Sequence, residues 1–247
     1  MSVESLKASY EEIYRTHGIR DHLAFYRWVL ALLRPEAGRR FLDVACGEGD
    51  ILAEASRRGV AAYGIDIAEA AVARALRNAP HASIIAWDAE KLPWGSESFQ
   101  YATCLGSLEN MPHPDQALAE IRRVLGPAGW ACFVLPNKYW LGDVLEVAWR
   151  GEEAGSFQPF ERQGTCQQWR RWLTRHGFQV RAVYRYNKRP SLFRGHKMKS
   201  IRKFAWRSLF NSLCPFYLSW SFVYLCEKIH AHPIQNGSAT SQYWRLE

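Results

Sequence analysis

The residues best placed to do chemistry are three aspartates and two glycines: Asp43, Gly47, Gly49, Asp66 and Asp88. Phe41-Leu-Asp-Val-Ala-Cys-Gly-Glu-Gly-Asp50 reads as an apolar strand, a glycine turn and the start of a helix. Glycines at 47 and 49 let backbone N–H groups approach a ligand with no Cβ in the way. A dinucleotide fingerprint would place a third glycine at position 52, where Leu52 stands. Asp43 adds negative charge where a phosphate would be repelled, so the turn favours a cationic ligand with an amino group, such as a sulfonium amino acid. Asp66 ends a second apolar run seventeen residues past Gly49. A carboxylate there can accept both hydroxyls of a ribose. Asp88, in Trp87-Asp88-Ala89, ends a third run and can accept from an adenine amino group, with Ala89 leaving room for the ring. Each acid alone also reads as a helix cap. Three at successive strand ends, the first beside Gly-x-Gly, point to one ligand lying across the carboxyl ends of the strands.

Those strand ends need a scaffold, and the chain spells one out. Two amphipathic helical patterns, Leu6–Tyr14 and Leu23–Leu33, precede Arg34-Pro35. Strands are predicted over residues 40–46, 61–67, 82–88, 101–107 and 130–136, with helices over 50–58, 68–78 and 114–125 between them. Five strands separated by helices predict an α/β chain with a parallel, doubly wound sheet. Beyond 137 the pattern is less regular. A helix over 165–176 follows a Thr165 cap, a strand covers 179–186, and a basic linker and helix run from 188 to 213. A buried strand over 221–226 comes last; Pro215 and several polar residues argue against a membrane span over 208–226.

With 48% hydrophobic and 23% charged residues, the 247-residue chain is of an ordered, globular kind. The six cysteines form no CxxC pair and have no histidine at zinc spacing, so they read as reduced structural thiols in a cytoplasmic protein without a metal site. The first residues lack a secretory signal pattern. Net charge is +8, unevenly spread: residues 162–226 hold 14 Lys and Arg and no acid, which leaves −6 for the rest. That asymmetry suits an anionic partner such as a lipid surface, a phosphorylated molecule or nucleic acid. Residues 197–210 form a basic amphipathic helical pattern, with Trp206, Phe216, Tyr217 and Trp220 nearby. Such a segment lies in a headgroup layer or caps a site.

FLDVACGEGD, YGIDIAEAAVARA, the run from Asp88 to Trp130 and ACFVLPN resemble successive motifs of the class I S-adenosylmethionine-dependent methyltransferases, over roughly residues 40–137. The small-molecule branch that includes the ubiquinone and menaquinone methyltransferases is the most similar. The resemblance implies a Rossmann-like, mostly parallel seven-stranded sheet of order 3-2-1-4-5-7-6, the last strand antiparallel. Residues 1–39 would be a helical cap, 40–229 the methyltransferase domain with a basic insertion or lid over 188–218, and 230–247 a flexible tail. It implies S-adenosyl-L-methionine as cofactor. Asp43, Gly47 and Gly49 would flank the methionine part, with Ala45 and Cys46 completing the loop. Asp66 and Ile67 would hold the ribose, Asp88 and Ala89 the adenine, and Gly106 would lie near the methionine end. Three positions depart from the pattern: Ala45 replaces a glycine, Gln100 an acid, and Leu108-Glu109-Asn110 lacks the usual histidine.

Methyl transfer from a sulfonium depends largely on positioning. Candidates to deprotonate an acceptor hydroxyl are Glu109, His113, His17 and His22; Glu109 and His113 are the favoured pair, although His113, between Pro112 and Pro114, also reads as surface loop. Without an Asn/Asp-Pro-Pro-aromatic tetrapeptide or a Pro-Cys dipeptide, methylation of base amines or pyrimidine carbons is disfavoured. The expected reaction is methylation at oxygen or carbon of a small or lipid-like acceptor: an isoprenoid, a quinone or a lipid-linked glycan. The enzyme would be cytoplasmic, with residues 197–220 reaching the inner face of an anionic membrane. An RNA methyltransferase using the basic half, or a cofactor-binding scaffold without catalysis, are the alternatives.

Overall fold

The computed structural model describes residues 3–152, 161–187 and 213–229. The expected insertion over 188–218 lies outside the described residues up to 212, as does the expected tail at 230–247.

Seven strands form one sheet in the order β3-β2-β1-β4-β5-β7-β6. They are β1 (Arg40–Val44), β2 (Ala61–Asp66), β3 (Ser83–Ala86), β4 (Phe99–Leu105), β5 (Leu125–Pro136), β6 (Phe178–Tyr186) and β7 (Ser221–Lys228). The first five run parallel, and β7 pairs antiparallel with both β5 and β6. Strand order and the reversed last strand are those implied by the motif resemblance.

The helices are α1 (Val3–Thr16), α2 (Leu23–Leu33), α3 (Asp50–Ser56), α4 (Glu69–Asn78), α5 (Pro114–Val124), α6 (Leu141–Arg150) and α7 (Cys166–Arg175). The apolar stripe of α2 (Phe25, Val29, Leu30 and Leu33) packs with α3 and α4 on one face of the sheet. On the other face α5 and α7 supply Ala117, Leu118, Ile121, Trp169 and Leu173. With helices on both faces, the central strands are buried on both sides, which is why β1 and β4 read as near-continuous apolar runs. Thr165 caps α7 through a reciprocal capping box with Gln168, as the sequence anticipates.

Two local differences have physical causes. The chain passes straight from α5 into β5 at Leu125, before Gly126-Pro127, because Leu125 already pairs with Phe99. An irregularity between Phe99 and Tyr101, with Ala128 at φ 53, absorbs the turn there. Gln100, where an acid is usual, accepts the Arg40 backbone N–H at 3.0 Å and fastens the start of β1 to β4. The other difference is α6, in a stretch that reads as irregular. All six cysteines are free and buried. No helix among the described residues is long and apolar enough to cross a membrane.

Candidate functional site

β1, β2 and β3 deliver their acids to the same end of the sheet, where a cleft opens between α1, the strand ends and the loop after β4. Of the residues singled out in the sequence, Ala45, Asp66, Ile67, Asp88 and Ala89 line it. Asp43 and Cys46 lie one layer deeper: both are buried, and the Cys46 thiol packs where a side chain on Gly64 would stand.

Asp66 is the organising residue. One carboxylate oxygen accepts the Gly47 N–H at 2.8 Å and the other the Ala68 N–H at 3.0 Å, so it ties the glycine turn to the start of α4. Burial pushes its acid up to about 6, against those two stabilising hydrogen bonds. Asp43 accepts the Thr103 hydroxyl at 2.6 Å, and burial raises it to about 7. Two buried carboxyls with raised values make a site that welcomes positive charge. Asp88 accepts the Glu90 N–H at 2.9 Å, which turns the chain after β3.

The turn itself is tightly built. Gly47 has φ 52, and a Cβ there would stand 2.7 Å from the Tyr14 hydroxyl. Gly49, at φ 74, would press its Cβ to 3.0 Å from that of Ala75 on α4. Ala45 takes φ 59, the left-handed region that costs an L-residue about 1 kcal/mol or more, in the place where a glycine is usual. Glu48, buried in the turn, pairs with Arg74 at 3.0 Å and Arg20 at 3.3 Å and so anchors the segment after α1.

Helix α1 forms a wall that residue patterns left unassigned. Val3, Leu6, Tyr10 and Tyr14 line the cleft. Lys7 reaches Glu69 at 2.9 Å, and Glu11 accepts the Ala70 N–H at 3.2 Å, so α1 is stitched to α4. Its 3.6-residue apolar period was visible, but a period marks a face and not what that face covers. Trp87, Glu90, Ser107, Asn110 and Met111 also line the cleft without having been singled out.

The loop after β4 supplies the other side through Ser107, Asn110, Met111 and Pro112, whereas Gly106 and Glu109, both singled out in the sequence, lie behind that lining. Gly106 takes φ 72 and lies beside Glu109, whose Oε1 is 3.9 Å from the position of a Cβ on Gly106. Glu109 sits in a 3₁₀ turn over Leu108–Asn110 and is only 2% exposed. Burial, with added repulsion from Glu161, pushes it up to about 8. Its Oε2 and the Asn110 Oδ1 are buried without a partner. The Arg162 guanidinium braces this turn through the carbonyls of Glu109, Met111 and Pro112. His113 stands outside the cleft, exposed, with Nδ1 2.8 Å from Glu90 Oε2. His17 and His22 lie on the segment between α1 and α2, away from the lining. Among the described residues no cluster of His, Cys, Asp or Glu could hold a metal ion.

Residues 42–133 match the family described as a methyltransferase domain. The chain is 33% identical over 156 residues to the ubiquinone/menaquinone biosynthesis C-methyltransferase UbiE of Paraburkholderia xenovorans, covering 56% of this chain and 64% of that relative. It thus spans less than two thirds of that relative's length. An S-adenosylmethionine-dependent methyltransferase from Methanosarcina mazei superposes with a TM-score of 0.59 at 20% identity, covering 81% of this chain and 97% of that one. The [4+2]-cyclase SpnF superposes with a TM-score of 0.62 at 21% identity, covering 85% and 81%. The structural likenesses speak to fold, and a cyclase among them shows that the fold hosts more than one chemistry.

Proposed function

We propose that the chain is a class I S-adenosylmethionine-dependent methyltransferase that methylates oxygen or carbon of a small, quinone- or isoprenoid-like acceptor, a reading supported by the methyltransferase-domain match and the likeness to UbiE. The cofactor suits the cleft by its chemistry. It is cationic at sulfur and carries an ammonium group, and the carboxyls of Asp66 and Asp43 supply the opposing charge. Asp66 and Asp88 would hold the ribose and adenine ends. Ile67, Ala89 and Met111 offer apolar surface for the ring, and Tyr14 closes over the Gly47 turn. When bound, the cofactor supplies an electrophilic methyl group.

The observation that carries the catalytic half is Glu109: a buried carboxyl with an unpartnered oxygen, beside Gly106 at the end of β4. An acid pushed up to about 8 is matched to accepting a proton from a hydroxyl near neutral pH. Glu109 would take the proton of an acceptor hydroxyl, either at the methylated oxygen or conjugated to the methylated carbon. Asn110, which lines the cleft with its own unpartnered Oδ1, would orient the acceptor. His113 is the weaker candidate, since its ring is turned to Glu90. The quinone-like acceptor class is supported by the likeness to UbiE, a C-methyltransferase of ubiquinone and menaquinone biosynthesis.

The test pairs calorimetry with mass spectrometry. The protein is expected to release heat with S-adenosylmethionine and to transfer labelled methyl to a component of a lipid extract. Absence of both would refute the reading. Cofactor binding without any methylated product would leave a binding scaffold.

A further inference from the structure

The loop after β3 is fastened to α5 along its length. At its far end the Leu92 N–H donates to Glu120 at 2.8 Å, and Arg123 donates to the carbonyls of Leu92 at 3.1 Å and Trp94 at 2.7 Å. At its near end Glu90 reaches across 23 residues of sequence to the start of the same helix. Its Oε1 accepts the His113 N–H at 2.7 Å, and its Oε2 lies 2.8 Å from His113 Nδ1. His113 stands just ahead of the first turn of α5, and its side chain makes no cap bond to the helix. In a capping box the His113 N–H would be taken by the third helical residue, Gln116 here. Glu90 takes it instead, from another loop.

Glu90 therefore touches both sides of the cleft. Its own N–H donates to Asp88 at 2.9 Å, and Asp88, Ala89 and Glu90 all line the cleft. His113 closes the stretch 107–113, which faces them through Ser107, Asn110, Met111 and Pro112. Arg162 braces that stretch from outside the lining, whereas the Glu90 clasp starts from within it. We propose that Glu90 is a positioning residue that transmits cofactor occupancy to the loop after β4, so that binding at Asp88 firms the stretch that receives the acceptor. A ligand held by Asp88 and Ala89 restrains the turn they share with Glu90, and Glu90 passes that restraint to the His113 N–H and the start of α5. The entropy of ordering residues 107–113 is then lost when the cofactor binds and not again when the acceptor arrives, which is positive cooperativity without a change of shape. An acceptor that arrives ahead of the methyl donor meets a looser loop, so binding favours the cofactor first. The inference rests on the proposed placing of the cofactor at Asp88.

Hydrogen exchange read by mass spectrometry on the full chain tests this without an acceptor. The probe is S-adenosylhomocysteine, at a concentration that calorimetry shows to be saturating. In wild-type protein the probe is expected to slow amide exchange across residues 107–117 by about fivefold or more. Glu90→Met keeps the side chain's length and removes both acceptor oxygens. It is expected to cut that slowing to less than about twofold, with exchange in β4 and β5 unchanged. Glu90→Gln, which retains an acceptor for the His113 N–H, should keep most of the slowing. Glu90→Ala takes the place of the methionine variant should that one fail to fold. Three results would overturn the proposal: wild-type exchange over 107–117 that ignores the saturating probe, a methionine or alanine variant that responds as wild type does, or a loss of slowing matched by faster exchange throughout β4 and β5. Saturable binding alongside any of these leaves the cofactor reading intact, whereas absence of heat with wild-type protein removes both.

Discussion

The two sides of the site are finished to different degrees. On the side built by β1, β2 and α4, every buried carboxyl is answered from within the protein: Asp66 by two backbone N–H groups, Asp43 by Thr103, Glu48 by Arg20 and Arg74. In the loop after β4, Glu109 Oε2 and Asn110 Oδ1 are buried with no partner. Each such orphan costs about 1–3 kcal/mol. A protein tolerates that expense where a ligand brings the missing partner. On the proposed reading, the first side would hold the constant cofactor and the second would receive the acceptor.

The sharpest way to break this comparison is Glu109→Gln. If the two sides act separately, E109Q lowers kcat by about 10²-fold or more and leaves the Kd for S-adenosylmethionine within about twofold, as turnover and calorimetry would show. The converse change, Asp66→Ala, removes the tie between the glycine turn and α4. It is expected to weaken cofactor binding by about 30–100-fold, or roughly 2–3 kcal/mol.

Next in size comes pH. Because burial raises Glu109 to about 8, its base form is the minority at neutral pH. The pH profile of kcat/KM should climb about tenfold per unit below pH 8 and level above it, and E109Q should flatten that climb. Cofactor affinity, resting on ionised Asp66 at about 6 and Asp43 at about 7, should fall as the solution is acidified through that range.

The smallest effect is on stability, and its sign is specific. Asp43 has a folded value above the ordinary carboxylate range, so the fold favours its protonated form. The stability this group contributes is present at low pH and is lost as pH rises from about 4 to about 7. Asp43→Asn keeps an oxygen for Thr103 and cannot ionise. D43N is expected to make the cofactor-free protein more stable at about pH 8, by a few kcal/mol at most, and little different at about pH 4 or below. Urea unfolding at the two pH values measures both.

Most of the first side was legible in the residues. Continuous apolar runs placed β1 to β4, and of the residues whose spacing suggested a ligand across their ends, Asp66 and Asp88 line the cleft whereas Gly47 and Gly49 do not. The second side was not, for reasons of physics. Glu109 is one acid among many until burial is known, and burial depends on Arg162, some fifty residues later, bracing its turn. Tyr10 and Tyr14 occupy ordinary apolar positions of an amphipathic helix, and only the docking of α1 on α4 turns them to the cleft. Asp43, on β1, reads as a ligand-facing residue yet is buried and stands a layer beneath the cleft lining.

The stitching of α1 over the cleft has a practical corollary. Val3 lines the cleft, so an affinity tag or fusion partner joined ahead of it is expected to disturb ligand binding. Handles for purification, surface immobilisation or fluorescent labelling belong elsewhere on the molecule if binding constants are to describe the protein and not its tether.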